Sequence, residues 1–525
     1  MREGKAVVIA SLICVASAAL LVAEAKGDDG EVTTQLQNGF TATHEANAAA
    51  PFEPVLYAPN RAFALGFLRV GAASLDLAVV HLPSSFPLWR ATPARMGDWS
   101  RAATLTFDAG LVLTADDGPE HGVGVLWRTL NTVGDTVALL NSSNLVVRRY
   151  DGEDGPTWQS FDHPSDTLVL GQNFTASSPP LISANHRFAL RLGRTYMALT
   201  MEFYGGGRAT TPTYWQHTAL EAEAQAPENA TQTAPVYGRL DARGFFGLYL
   251  AAGGKEERVD VLSFDTFAQN VTTGGGALFR RMTLDDDGNL RAYYWTDESK
   301  AWTPEYKAIS ERCELPTSCG AYGLCVPGEA QCQCLANTTT STATTTSPPC
   351  GAEETTDLCS SGDLGGGQHA DFDVVRRTRV SVAYKEELPF ETNKTAAECE
   401  AACAGNCSCW GALFNGASGY CYLLDFPVET MVYDADDRKV GYFKVRKPPS
   451  PTTTTRRVMS PGVKAATAVV SLVLATLVAA GAYTGYRMWV RKKRRREGME
   501  QELAPGRPYK DLKSMGSSNN NSFKS

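Results

Sequence analysis

From Val15 to Arg312 the chain contains no cysteine. Disulfides and thiolate-bound metal are therefore excluded from that stretch, and its folding has to come from an apolar core. It also shows little 3.6-residue apolar periodicity, which disfavours an enzyme of the βαβ type, because no amphipathic helices lie between the strands. The hydrolase and metalloprotease signatures G-x-S-x-G and H-E-x-x-H are absent, and the seven histidines are scattered without ligand spacing. The sequence predicts no catalytic residue, no metal site and no cofactor.

What is present is globular composition, 43% hydrophobic and 20% charged, so disorder is not the default. Arg2 and Lys5 flank the start of an apolar run, Ala6 to Val22, that ends in Ala23-Glu24-Ala25. This is a secretory signal pattern over residues 1–25, with the mature chain starting near Lys26. A second run, Ala465 to Tyr486, holds no charge across 22 residues. At about 1.5 Å per residue it covers the ~30 Å hydrocarbon core of a bilayer. "RKKRRR", Arg491 to Arg496, follows it and marks the cytoplasmic side. The expectation is a single-pass type I plasma-membrane protein with residues 26–464 outside.

Charge divides the same way. From Arg487 onward there are eleven Lys/Arg and four Asp/Glu, net +7, and since the whole chain is −8 the remainder carries −15. An acidic exterior argues against nucleic acid as a partner, while the basic strip suits lipid headgroups. Gly481 and Gly485 form a G-x-x-x-G pair through which a second copy could pack as a homodimer.

Between about 40 and 300, runs such as "FALGFL", "LTFDAGLVL", "NLVVRRY", "FGLYLA" and "LRAYYW" are punctuated by Gly, Asp, Asn and Pro. Short strands with such turns predict an all-β barrel, prism or sandwich. A polar turn followed by an alternating strand recurs at 106–113, 139–147 and 283–293, as three related subdomains of a β-prism would give. "DDDG" at 285–288 lacks the alternating ligands of a calcium loop and reads as a hairpin turn.

Twelve of the thirteen cysteines lie between Cys313 and Cys421, an even set that predicts a disulfide framework in an oxidising compartment. The pairs Cys332/Cys334 and Cys407/Cys409 lack the C-x₂-C spacing of zinc sites. Thr395-x-x-Glu398 is a capping box opening a short helix that sets Cys399 and Cys403 on one face. A Pro/Thr stalk, "KPPSPTTTTRR", leads to the apolar run.

Taken in order, "FALGFL" (63–68), "LNSSNLVVR" (140–148), "WQSFDHPSDTLVLGQ" (158–172), "TLDDDGNLRAYYW" (283–295), "CGAYGLC" (319–325), "CQC" (332–334) and "ECEAACAGNCSCWGALF" (398–414) resemble the extracellular part of plant S-domain receptors. The resemblance implies a mainly β chain of tandem β-prism-like units. A bulb-type lectin domain would span 40–170 and an S-locus-glycoprotein-like domain 171–305. An EGF-like module would span 309–351 and an α+β PAN/apple domain 359–446, before a stalk at 447–463, a membrane helix at 464–487 and a tail at 488–525. It also implies the bridges Cys313–Cys325, Cys319–Cys332, Cys399–Cys421 and Cys403–Cys409. The pairing of Cys334, Cys350, Cys359 and Cys407 stays open. The implied partners are a glycan or glycoprotein outside and another receptor or kinase at the membrane.

Two departures qualify it. Mannose-binding members of the family carry Q-x-D-x-N-x-V-x-Y, whose polar side chains bond sugar hydroxyls from alternate positions on one face of a strand. Here the first copy aligns as Thr106, Asp108, Gly110, Val112 and Thr114, and the second as Leu140, Ser142, Asn144, Val146 and Arg148. Only Asp108, Val112, Asn144 and Val146 keep the pattern, so mannose binding is expected to be feeble or absent. The family's receptor kinases also continue into a cytoplasmic kinase, whereas 35 residues remain from Arg491 on. No kinase is therefore expected in this chain. "YKDL", Tyr509 to Leu512, resembles a tyrosine-based sorting signal.

Sequons at Asn141, Asn173, Asn229, Asn270, Asn337, Asn393 and Asn406 mark candidate N-glycosylated loops, with Asn406 crowded between Cys403 and Cys407. The Trp158–Gln172 stretch is expected to be an architectural corner. Trp158 and Phe161 anchor it, Pro164 turns it, and Asp162, Ser165 and Asp166 satisfy backbone donors.

Overall fold

The computed structural model describes residues 33–446, apart from internal stretches of which 219–235, 263–277 and 351–371 are the longest, and residues 477–491. These fall into two separate units, the first ending at Lys447.

The N-terminal third builds three antiparallel sheets, two of four strands and one of five. One contains Gln35–Gln37, Thr136–Leu139, Leu145–Arg148 and Trp158–Gln159. The second contains Phe40–His44, Ala103–Asp108, Gly110–Asp116 and Val123–Arg128. The third contains Phe52–Tyr57, Phe63–Val70, Ser74–His81 and Phe86–Arg90, with Gly97–Asp98 paired to Ser74–His81 as a fifth strand. In the second sheet Ala103, Leu105, Phe107, Leu111, Leu113 and Ala115 are buried while the residues between them are not, the two-residue period of a sheet with one wet face. Each sheet sends one tryptophan to a shared centre. Trp89, Trp127 and Trp158 meet pairwise at 5.6–5.9 Å with interplanar angles of 71–74°, the edge-to-face geometry that ring quadrupoles favour.

Residues 167–307 repeat the plan with three more sheets, each of four strands. Thr167–Val169 joins Arg280–Leu284, Leu290–Thr296 and Ala301–Lys307. Asn173–Thr175 joins Val236–Asp241, Phe245–Ala252 and Lys255–Leu262. Leu181–Ile182 joins Phe188–Leu192, Tyr196–Met201 and Thr213–Thr218. Inside, Arg280 Nε lies 3.0 Å from Glu305 Oε1, both side chains almost fully buried.

His81, from the first set, is enclosed by Phe63, Phe279, Trp295 and Trp302 at 5.2–5.6 Å. Burial pushes its pKa down to about 4, with the Asp297 carboxylate opposing. The folded chain thus holds His81 neutral where the unfolded chain protonates it, so its contribution is fully present above about pH 6.5 and lost as pH falls towards 4. Thermal unfolding of the chain should show a falling midpoint across that window. His81→Phe keeps a ring in place without a titrating group and should flatten the slope; an unchanged slope would remove His81 as its source.

The cysteine-rich part is joined through its strands to the C-terminal sheets of the same unit. Leu324–Val326 pairs in parallel with Met431–Tyr433, in a five-stranded sheet that also holds Gln331–Gln333, Thr340–Thr342 and Val380–Ser381. A second five-stranded sheet orders Phe372–Thr378, Lys439–Arg446, Gly411–Asn415, Tyr420–Leu424 and Phe390–Glu391, beside the helix Ala396–Ala404. Thr395 caps that helix in a reciprocal box with Glu398. Bridges join Cys313 to Cys325, Cys319 to Cys332, Cys334 to Cys350, Cys399 to Cys421 and Cys403 to Cys409. Cys407 is also disulfide-bonded, and Cys359 lies outside the described residues.

In the second unit residues 477–491 are helical, with Gly481 and Gly485 exposed. The signal region, the first half of the apolar run, most of the basic strip and Tyr509 to Leu512 lie outside the described residues. Among those described, no helix is long and apolar enough to cross a membrane.

Candidate functional site

The first motif copy is bent into a hairpin. Thr106 and Asp108 end one strand, Ala109 turns at φ +62°, and Gly110, Val112 and Thr114 lie on the next strand. Thr106 faces Val112 and Thr104 faces Thr114, so the motif positions share one outward surface of two strands. Thr41 and Thr43 extend it on one side, opposite Thr106 and Thr104, and Val125 on the other, opposite Thr114. This face is rich in threonine and poor in charge, and two of its hydroxyls turn back on the sheet. Thr106 Oγ1 donates to the Val112 carbonyl at 3.5 Å and Thr114 Oγ1 to the Thr104 carbonyl at 3.3 Å. Asp108 is exposed. At Gly110, where the mannose motif has Asn, a Cβ would stand 2.9 Å from Thr129 Oγ1, which already accepts the Leu111 amide.

In the second copy Ser142 and Arg148 are exposed, and the positions that keep the pattern are covered. Asn144 and Val146 are buried. Asn144 Nδ2 donates to Gln159 Oε1 at 2.8 Å, while its Oδ1 accepts from Ser160 Oγ at 3.2 Å and from the Phe161 amide at 3.3 Å. Ser160 Oγ accepts the Leu145 amide at 3.0 Å. The side chain that matches a sugar ligand in sequence is thus bonded to the corner, and Val146 offers no surface to a ring.

The corner accounts for its own polar groups. Gln172 accepts the Val169 amide and donates to the Phe161 carbonyl at 2.9 Å, and Gln159 donates to Asp162 at 3.0 Å. Asp166 accepts from Ser165 and Thr167 side chains, with its carboxyl pushed up by burial. Backbone donors are therefore satisfied by Asn144, Ser160 and Gln172, where the sequence suggested Asp162, Ser165 and Asp166. The His163 ring stacks on Trp158 at 5.5 Å and 11°, and among the described residues no hydroxyl bonds it. The third turn is closed as well: Arg291 bridges Asp285 and Asp287 at 2.6 Å each, and the buried Asn289 bonds both backbone groups of Ile309.

Sequence reasoning missed an open cavity of about 350 Å³ lined by Ser74, Met96, Gly97, Asp98, Arg101 and Asp116. Asp116 ends the strand that carries Val112 and Thr114 on the same outward side, so cavity and hairpin face are continuous. Exposed Val123 stands opposite Asp116. The Ser100 hydroxyl and amide, with Arg101 beside them, hold the Asp98 carboxyl below its ordinary range. Trp99 fixes this loop from inside, donating to the Ala48 carbonyl at 3.0 Å. Carboxylates, a guanidinium and a hydroxyl beside apolar surface can bond hydroxyls while packing a ring face. No spacing rule signals them, because they converge from three separated segments.

Comparison with known proteins agrees with this architecture. The D-mannose binding lectin family matches residues 88–180, the S-locus glycoprotein domain 264–339 and the PAN domain 370–445. A PAN domain-containing protein of Arabidopsis thaliana is 35% identical over 482 residues, covering 92% of this chain and 91% of that protein. The chain belongs to the plant S-domain family. A G-type lectin S-receptor-like serine/threonine-protein kinase of the same plant is 23% identical over 70% of this chain, which spans 44% of the kinase's length. An EP1-like glycoprotein, also from Arabidopsis thaliana, is 25% identical over 65% of this chain and 74% of its own. In this S-domain protein Asn141, Asn173, Asn393 and Asn406 are exposed, while Asn229, Asn270 and Asn337 lie outside the described residues. Among the described residues no cluster of His, Cys, Asp or Glu could hold a metal ion.

Proposed function

We propose that this S-domain protein is a cell-surface receptor-like lectin that recognises a glycan or glycoprotein through the outward face of its first three-sheet unit. The observation that carries this is the continuity of the Asp108–Val112–Thr114 surface with the cavity of Asp98, Arg101 and Asp116. The apolar run from Ala465 and the basic strip after it support a single span, with the glycan-binding part outside. Three sheets around a tryptophan centre support a prism over 40–170, and the repeated plan supports a second over 171–305. The module at 309–351 reads as EGF-like.

Mannose is disfavoured as the ligand. Gly110 is backed by Thr129, Asn144 is engaged, and each lost hydrogen-bonding group removes about 0.5–1.5 kcal/mol. Immobilised mannose should retain the purified chain weakly or not at all. On a mixed glycan array, Asp98→Ala and Asp116→Ala should each lower the signal about tenfold, since hydrogen bonds to charged groups are worth roughly 1.5–3 kcal/mol. Mannose retention abolished by Asp108→Ala or Asn144→Ala would overturn this assignment. A second reading, a scaffold for protein contacts with another receptor or kinase, is favoured by the engagement of Asn144 with the corner. Absence of signal on every glycan, with co-purification of a receptor, would establish it.

A further inference from the structure

Phe390 stands at the edge of the PAN-domain sheet and is 51% exposed, although it is a large apolar ring. It stacks on Tyr420 at 4.7 Å and 25° and meets Tyr422 at 5.6 Å. Register fixes this platform, with Phe390 opposite Tyr422 and Glu391 opposite Cys421. Three residues after Phe390 comes exposed Asn393, the first residue of the sequon Asn393-Lys394-Thr395. Its backbone, at φ +58°, is held against the Tyr420 end of the platform. The Lys394 amide donates to the Gly419 carbonyl at 3.1 Å, and a Cβ on Gly419 would stand 3.8 Å from Asn393 Cα. The Asn393 carboxamide makes no hydrogen bond to the described residues. By contrast Asn141 Oδ1 accepts the Asn60 amide at 2.9 Å, and Asn406 Oδ1 accepts from Ser408 N and Oγ.

We propose that Asn393 carries an N-linked glycan whose first N-acetylglucosamine lies on the Phe390–Tyr420 rings. The C–H face of that sugar is apolar and carries partial positive charge, which matches the negative ring face. Covering the rings removes exposed apolar area from water. The sugar is tethered close by, so it meets the rings at high effective concentration without the full entropic cost of association. The occupant is a covalent part of this chain. The Asn393 amide nitrogen loses one proton and bonds the anomeric carbon of an oligosaccharide donor carried on a lipid diphosphate, whose anomeric C–O bond breaks with the diphosphate leaving. The glycan thereby locks the edge strand to the helix that Thr395 caps. The proposal rests on the reading that residues 26–464 pass through the secretory pathway.

The full chain, produced in a glycosylating eukaryotic host, tests it through a cycle of parent, Asn393→Gln, Phe390→Ala and the double variant. Asn393 is used for removal because Thr395 is also the helix cap. Mass analysis of the peptide spanning Asn393 should show the glycan. Limited proteolysis in the PAN domain should run about three- to tenfold faster in Asn393→Gln than in the parent, as one aromatic contact predicts. In the Phe390→Ala background the same change should have no effect, and Phe390→Tyr, which keeps a ring, should restore it should Phe390→Ala fold poorly. Equal effects of Asn393→Gln in both backgrounds overturn the platform. A bare Asn393 with sugar on Asn141 or Asn173 overturns the proposal alone, whereas bare asparagines throughout overturn the secreted topology as well.

Discussion

Arg280→Met is expected to cost about 3–5 kcal/mol of stability, because it strands the Glu305 carboxylate in the core. Arg280 Nε lies 3.0 Å from Glu305 Oε1, and its Nη1 reaches the Ala242 carbonyl at 3.3 Å. The guanidinium thus ties the sheet of Arg280–Leu284 to the end of Val236–Asp241 in a different sheet. A buried pair of this kind gains little over a hydrophobic replacement of both members, since desolvation offsets most of the attraction. The double variant Arg280→Met with Glu305→Leu should therefore recover most of the loss. Denaturant unfolding of the parent, Arg280→Met, Glu305→Leu and the double variant measures this directly. A single variant as stable as the parent would mean that Glu305 escapes to solvent or is protonated, and that the pair carries no structural weight.

Trp158→Ala should cost a comparable 3–5 kcal/mol, as large-to-small changes at aromatic core positions do. Trp158 contacts Trp89 at 5.9 Å and Trp127 at 5.7 Å, and it supports the stacked His163, whose carbonyl accepts the Trp89 Nε1 proton at 2.7 Å. The void left by Trp158→Ala lies where the three N-terminal sheets converge, so neighbouring elements cannot collapse into it without losing their own register. Trp158→Phe keeps a ring and should lose roughly a third as much. Thermal unfolding, with tryptophan fluorescence reporting the centre, separates the two. Loss of less than about 1 kcal/mol for Trp158→Ala would mean that the other two tryptophans close the gap.

Much of the fold was legible because it depends on local period and punctuation. Alternation in "ATLTFD" and "GLVLTAD" places Leu105, Phe107, Leu111 and Leu113 inside, and the capping box at Thr395 fixes a helix start. The stretch from Trp158 to Gln172 could be assigned to a corner rather than a catalytic cluster because its Ser and His lack an activating partner nearby. Which side chains would satisfy the corner was not legible, since Asn144 and Gln172 reach it from opposite ends of the chain segment.

The candidate site divides along the same line. Spacing alone equates Asn144 with a sugar ligand, yet a residue at a motif position is a ligand only if its side chain points to water. That direction is set by the sheet register and by what packs behind it. By itself, the sequence determined the family, the β-rich repeat and the clustered cysteines, because these depend on residue identity and order. Only the tertiary structure decided that the first copy lies on an outward face while Asn144 and Val146 of the second are covered, that Asp98, Arg101 and Asp116 share a cavity, and that Tyr420 stacks on Phe390 beside the sequon of Asn393. Those depend on contacts between segments whose separation in sequence carries no periodic signal.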